Sequence, residues 1–108
     1  MKEKQLVFYQ DQAGNEPFND WLNGFRDAAL RRRILQRLFR VQSGNYGDYK
    51  PVKGGVFELR LHFGSGYRIY FGEDGERIVV LLCGGDKSTQ KNDIESAQTY
   101  WKEYLNDA

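Results

Sequence analysis

Between Val56 and Phe71 the chain reads VFELRLHFGSGYRIYF, and residues able to do chemistry recur there at every second position. Glu58, Arg60 and His62 precede a glycine-bounded turn, and Arg68 and Tyr70 follow it. Leu59, Leu61, Ile69 and Phe71 fill the positions between. Successive side chains of a strand point to opposite faces, so the charged and apolar residues separate. Two arginines on one face repel unless an anion lies between them. Glu58 supplies part of that negative charge. A phosphate could supply the rest, because a guanidinium fork matches its oxygens in pairs. A solvated outer face with a Glu58–Arg60–Arg68 network is the plainer reading, and exposed pairs of that kind contribute only about 0–1 kcal/mol.

Parity sets an expected register. With Gly64-Ser65-Gly66 as the loop, Phe63 faces Tyr67, Leu61 faces Ile69 and Leu59 faces Phe71. His62 then faces Arg68, and Arg60 faces Tyr70. A two-residue loop would set Leu61 against Arg68 and mix the faces. Gly66 suits the left-handed position common in three-residue hairpin loops.

Other residues carry weaker signals. His62 is the only histidine, so no multi-histidine metal site can form, and neither a metal nor a cofactor is expected. Cys83 ends an apolar run and reads as a small core residue. GGDKS lacks the longer pattern of a phosphate-binding P-loop. It does place Lys87 beside a helix start, where backbone N–H groups favour anions and a lysine opposes the dipole. Trp21 and Trp101 lie in helical apolar stripes and read as core.

These residues need elements to position them. KQLVFYQ reads as a first strand. Asn15 and Pro17 open a helix with a stripe of Phe18, Trp21, Leu22 and Phe25. A second helix starts near Asp27 or Ala28 and aligns Leu30, Ile34, Leu38 and Val41. After SGNYG come strands over 56–63 and 67–71, then the continuous apolar run IVVLLC (78–83), which suits a strand covered on both faces. Ser88 or Thr89 can cap a last helix with Ile94, Ala97, Trp101 and Tyr104 or Leu105 on its apolar side. The expected fold is α+β: a small, mainly antiparallel four-stranded sheet, an N-terminal helical hairpin and a C-terminal helix.

A chain of 108 residues fits a single domain over 1–108. No apolar run approaches the roughly 20 residues that span a bilayer. The start, MKEKQLVFYQ, has no secretory apolar segment, and one cysteine forms no internal disulfide. The expectation is a cytoplasmic protein. The net charge is only +1, yet Arg26, Arg31, Arg32, Arg33, Arg37 and Arg40 cluster against Asp27 alone. One surface can therefore be strongly positive.

GVFELRLHFGSGYRIYF followed by RIVVLLCGGDKSTQKNDIESAQTYWKEY resembles the RelE/ParE superfamily of toxins from bacterial toxin–antitoxin modules. It looks most like the HigB-like, phage-derived addiction module killer branch, and the likeness runs from KQLVFYQ to the last helix. The resemblance implies a small sheet packed by a helical hairpin, and, in RelE-type members, cleavage of mRNA in the ribosomal A site. By this resemblance Arg68 matches a phosphate-contacting arginine. Arg60 matches a strand position that is lysine in RelE-type toxins, and Glu58 falls where those carry another lysine implicated in catalysis. Lys87 lies near their late basic residue. No tyrosine follows GGDKS directly; the first beyond it is Tyr100. HigB-type nucleases rely more on histidine and acidic groups, which brings in His62, Asp86 and Glu58.

Metal-independent RNA cleavage needs a base for the 2′-OH, positive groups for the charge building on phosphate, and an acid for the departing 5′ oxygen. On this reading Glu58 is the base and Arg60 and Arg68 form the clamp. Lys87 or His62 helps the leaving group, and Tyr70 joins Arg60, Arg68 and Lys87 in holding RNA. Two other functions stay open: a ParE-type poison of DNA gyrase, and a non-catalytic module that binds RNA or an acidic protein. The implied partners are a cognate antitoxin, the ribosome and mRNA, with no membrane. A toxin–antitoxin heterotetramer is compatible with this. Arg31, Arg33, Arg37 and Arg40 offer a positive helical surface for acidic antitoxin residues.

Overall fold

The apolar run at 78–83 becomes the strand about which the sheet is built. The structure, a computed structural model, describes residues 3–107; Met1, Lys2 and Ala108, which the sequence reading places in its 1–108 domain, lie outside the described residues. In chain order the elements are β1 (Gln5–Phe8), α1 (Pro17–Asn23), α2 (Ala28–Gln42), β2 (Tyr49–Pro51), β3 (Val56–Arg60), β4 (Arg68–Asp74), β5 (Ile78–Gly85) and α3 (Gln90–Asp107). A short 3₁₀ turn, Lys87–Thr89, leads into α3. The sheet order is β1-β5-β4-β3-β2. β1 runs parallel to β5, and the other neighbours are antiparallel.

The fold is α+β, as expected, with a fifth strand. β2 is a short, exposed edge strand ending in Pro51, a residue that edges tolerate because its missing N–H breaks no ladder. Its brevity and proline hid it among turn residues.

Two cores flank the sheet. Phe18 and Leu22 of α1 and Ile34, Leu38 and Val41 of α2 pack on Leu59, Leu61, Ile69, Phe71, Val79 and Leu81. Ala97 and Trp101 of α3 pack on Val56, Tyr70, Val80, Leu82 and Cys83. Leu82 and Cys83 can both join this second core because the ladder shifts register between Tyr70 and Phe71. The face expected to be solvated is therefore largely roofed by α3.

The hairpin register corrects the expected one. Leu59 pairs with Ile69, Arg60 with Arg68 and Glu58 with Tyr70. The division of faces survives, but every pair slips by two positions along the strand. Leu61 N–H donates to the Tyr67 carbonyl at 2.9 Å and closes a loop over residues 62–66. Gly64 and Gly66 both sit at positive φ, 62° and 77°. The Tyr67 ring folds so closely on Gly64 that a β-carbon there would come within 3 Å of it. A loop with two left-handed residues turns later than the three-residue form with one.

The helix starts also differ from expectation. Glu16, without a side-chain bond, precedes Pro17 at the start of α1. Asn15 is held in the preceding turn, its N–H donating to Asp11 Oδ1 at 2.8 Å. Asp27 caps α2 by accepting from the N–H groups of Ala29 and Leu30. At the 3₁₀ turn the cap is Asp86, not Ser88 or Thr89. Its Oδ1 accepts from Ser88 N–H at 2.9 Å, and Thr89 returns its hydroxyl to the Asp86 N–H. Tyr104 packs under α3 while Leu105 is left exposed.

Candidate functional site

Pairing Arg60 directly across from Arg68 sets two guanidinium-bearing residues about 5 Å apart at their β-carbons. Glu58 resolves the repulsion. Its Oε1 lies 3.2 Å from Arg60 Nε, and its Oε2 lies 3.6 Å from Arg68 Nε. Two neutral donors complete the arrangement. Tyr70 OH donates to Oε2 at 3.1 Å, and Gln90 Nε2, from the first residue of α3, donates at 2.8 Å.

Glu58 is fully buried. Burial alone would raise its pKa. Hydrogen bonds from Gln90, Arg60 and Tyr70, with the Arg68 charge, more than offset this and hold it below the ordinary carboxylate value. Tyr70 is pushed up by burial and by the Glu58 charge, so its phenol stays a donor. It too is fully buried, so its expected place among RNA contacts is corrected: its hydroxyl meets Glu58, not solvent. Glu58 likewise sits beneath the arginines rather than on an outer face.

Arg68 is held from both ends. Its Nη1 donates to the Gly66 carbonyl at 2.8 Å, while its buried Nε has no hydrogen bond. Lys87 is exposed beside it: a β-carbon on Gly66 would stand 3.5 Å from both Arg68 Nη1 and Lys87 Cβ. Asp86, considered for catalysis, has its carboxylate engaged as a helix cap, and bonds from Ser88 outweigh desolvation to lower its pKa.

His62 leaves this cluster. Because β3 ends at Arg60, His62 lies in the loop, where its Nε2 meets Asp48 Oδ2 at 2.7 Å. Both residues line a groove of about 480 Å³ with Arg33, Arg37, Arg40 and Arg60. Three of the four α2 arginines singled out from the sequence converge there. Arg31 does not line it and instead donates to the Phe25 carbonyl. Gln90 and Asp48 were missed by sequence reading. Gln90 could have been found as the residue just after the Asp86 cap. Asp48 carries no local signal, because its position depends on the β2 edge.

Cys83 is buried against α3, and burial pushes its thiol up to about 12. No group of three or more His, Cys, Asp or Glu residues among those described could hold a metal ion. No helix among them is long and apolar enough to cross a membrane.

Residues 20–102 match the phage-derived Gp49-like protein family. The chain belongs to the Gp49-like family. An uncharacterized protein of Haemophilus influenzae is 46% identical over 81 residues, which cover 75% of this chain and 82% of the relative. The Gp49-like family is associated with the toxins of toxin–antitoxin modules, which suggests an antitoxin partner. The segment matched to the Gp49-like family contains Glu58, Arg60, Arg68 and Lys87, and all of α2.

Proposed function

We propose that this chain is a HigB-like toxin within the RelE/ParE superfamily. In this reading it is a metal-independent, ribosome-dependent endoribonuclease that cuts mRNA and stops translation. One observation carries the proposal: Arg60 and Arg68 are paired across two strands, kept charged and oriented by the buried Glu58, with Lys87 beside them. That is a preorganised clamp for a phosphate whose charge grows during reaction.

The residues act as follows. The ribose 2′ oxygen attacks phosphorus, and its proton goes to solvent, because both Glu58 oxygens are already engaged. Arg60 and Arg68 stabilise the equatorial oxygens. The bond to the 5′ oxygen breaks, and the Lys87 ammonium gives that oxygen a proton. Glu58 is a positioning residue. The ribosome supplies what the clamp lacks, by holding the 2′ oxygen in line with the scissile bond. The cognate antitoxin would place acidic residues on the arginine-rich surface of α2.

The test maps cuts in mRNA on programmed ribosomes. Arg68→Ala should lower cleavage about 10²–10³-fold, and Arg68→Lys should restore only part, since a point charge does not replace a planar fork. Equal cleavage by wild type and Arg68→Ala would end the proposal. Absence of cleavage by every form, with DNA breaks in expressing cells, would move the reading to a gyrase poison.

A further inference from the structure

The groove beside α2 is separate from the clamp, touches it only through Arg60, and has an organisation of its own. It carries four guanidinium groups, those of Arg33, Arg37, Arg40 and Arg60, against the single carboxylate of Asp48. Asp48 is itself engaged with His62. The excess of positive charge inside one concavity has no counter-ion among the described residues lining it.

Arg37 is the built part of this site. Its Nη2 donates to the Tyr46 carbonyl, while its Nη1 is buried without a hydrogen-bond partner. Gly47, at φ 68°, leaves the space the guanidinium occupies: a β-carbon there would come within 3 Å of it. Burial, then the charge of Arg40, pull the Arg37 pKa below its ordinary value, and Asp48 only partly opposes them. A guanidinium with one donor fixed to backbone and another left over is poised for an oxyanion. Arg33 lies over the Phe63 ring at 4.0 Å, which fixes a flat cationic surface at the groove wall.

We propose that this groove holds a second phosphodiester of the same RNA strand, next along from the one clamped by Arg60 and Arg68. The identity of the ligand rests on the ribonuclease reading; the anion site does not. Continuity favours a nucleic-acid strand over an acidic peptide. Arg60 lines the groove and also bonds to Glu58 of the clamp, so the two cationic clusters share one side chain. A polyanion with evenly repeated charges can occupy both at once. Arg33 on Phe63 adds a platform suited to a stacked base.

The test uses a fluorescent single-stranded RNA, methylated at its 2′ oxygens so that it cannot be cut, and measures its Kd across salt concentrations. Each phosphate contact on a single strand contributes about 0.7 to the slope of log affinity against log salt. Arg33→Gln/Arg40→Gln should therefore flatten the slope by about 1.4 and weaken binding several-fold at low salt. Arg32→Gln, an exposed arginine that does not line the groove, should retain the wild-type slope. Arg37→Gln should behave as the double variant does, and circular dichroism checks that it is folded. In the ribosome assay the double variant should raise KM and leave kcat near wild type. Unchanged slope and affinity in the double variant would overturn the proposal. So would unchanged RNA binding with lost binding to poly-glutamate, which would make the groove a protein-docking site. Reduced RNA binding in the double variant, with no cleavage by wild type, would keep the groove and remove the ribonuclease reading. Cleavage by wild type with RNA binding unaffected in the double variant would do the reverse.

Discussion

Glu58 is the residue on which the candidate site depends, and its environment gives it a different task from the one its type suggests. A carboxylate buried under two arginines, a phenol and an amide is a fixed counter-ion. Glu58→Gln should cost about 3 kcal/mol, because removing one member of a buried ion pair leaves the other unsatisfied. Chemical denaturation of the two forms measures this. Cleavage by the variant should fall only modestly once stability is restored by cooling; complete loss in a well-folded variant would make Glu58 the base. The pH dependence has a definite sign. The folded pKa lies below the unfolded one, so this contribution to stability is fully present above the ordinary carboxylate range. It is lost as pH falls through the depressed folded value. Acid unfolding of wild type below about pH 4 should therefore include a component that Glu58→Gln lacks, visible as a shallower fall of stability with pH.

At the scale of elements, glycines set how closely the helices approach the sheet. The Trp21 ring of α1 lies against Gly84, and the Trp101 ring of α3 lies against Gly72, on opposite sides. A β-carbon at either position would stand within 3 Å of an indole, so Gly84→Ala and Gly72→Ala should each destabilise by about 1–3 kcal/mol, readable as a lowered Tm. Asp27→Ala should cost about 1 kcal/mol through loss of the α2 cap. Much of this level was legible from sequence. The spacing of Ile34, Leu38 and Val41 gave the buried side of α2, and the unbroken 78–83 run gave a strand covered on both faces. The two-residue alternation separated Leu59 and Ile69 from Glu58 and Arg60. What parity could not set was the register, since a slip by two positions leaves every residue on its own face. The turn decides that, and its decisive feature is Tyr67 folding over Gly64, a contact between side chain and loop. The burial of Glu58 and Tyr70 was hidden for a related reason. Whether a polar face meets water depends on where α3 docks, and α3 is distant in sequence from β3.

For the whole molecule, the second core is what keeps α3 on the sheet, and Cys83 lies within it. Burial raises its thiol to about 12, so at neutral pH it should resist alkylation by iodoacetamide until α3 lifts away. Labelling should accelerate together with loss of far-UV dichroism in denaturant; fast labelling under native conditions would mean that α3 is not docked. The topology also orders assembly in time. Gln5 at the start of the chain pairs alongside Ile78, and Gln90 completes the bonding of Glu58. Chains emerge from synthesis N-terminus first. A nascent chain can therefore expose β3 and its arginines well before Gln90 and α3 arrive to fix them. The clamp is finished only when the last helix has been made, which delays the active form until the protein is nearly released from the machinery that produced it.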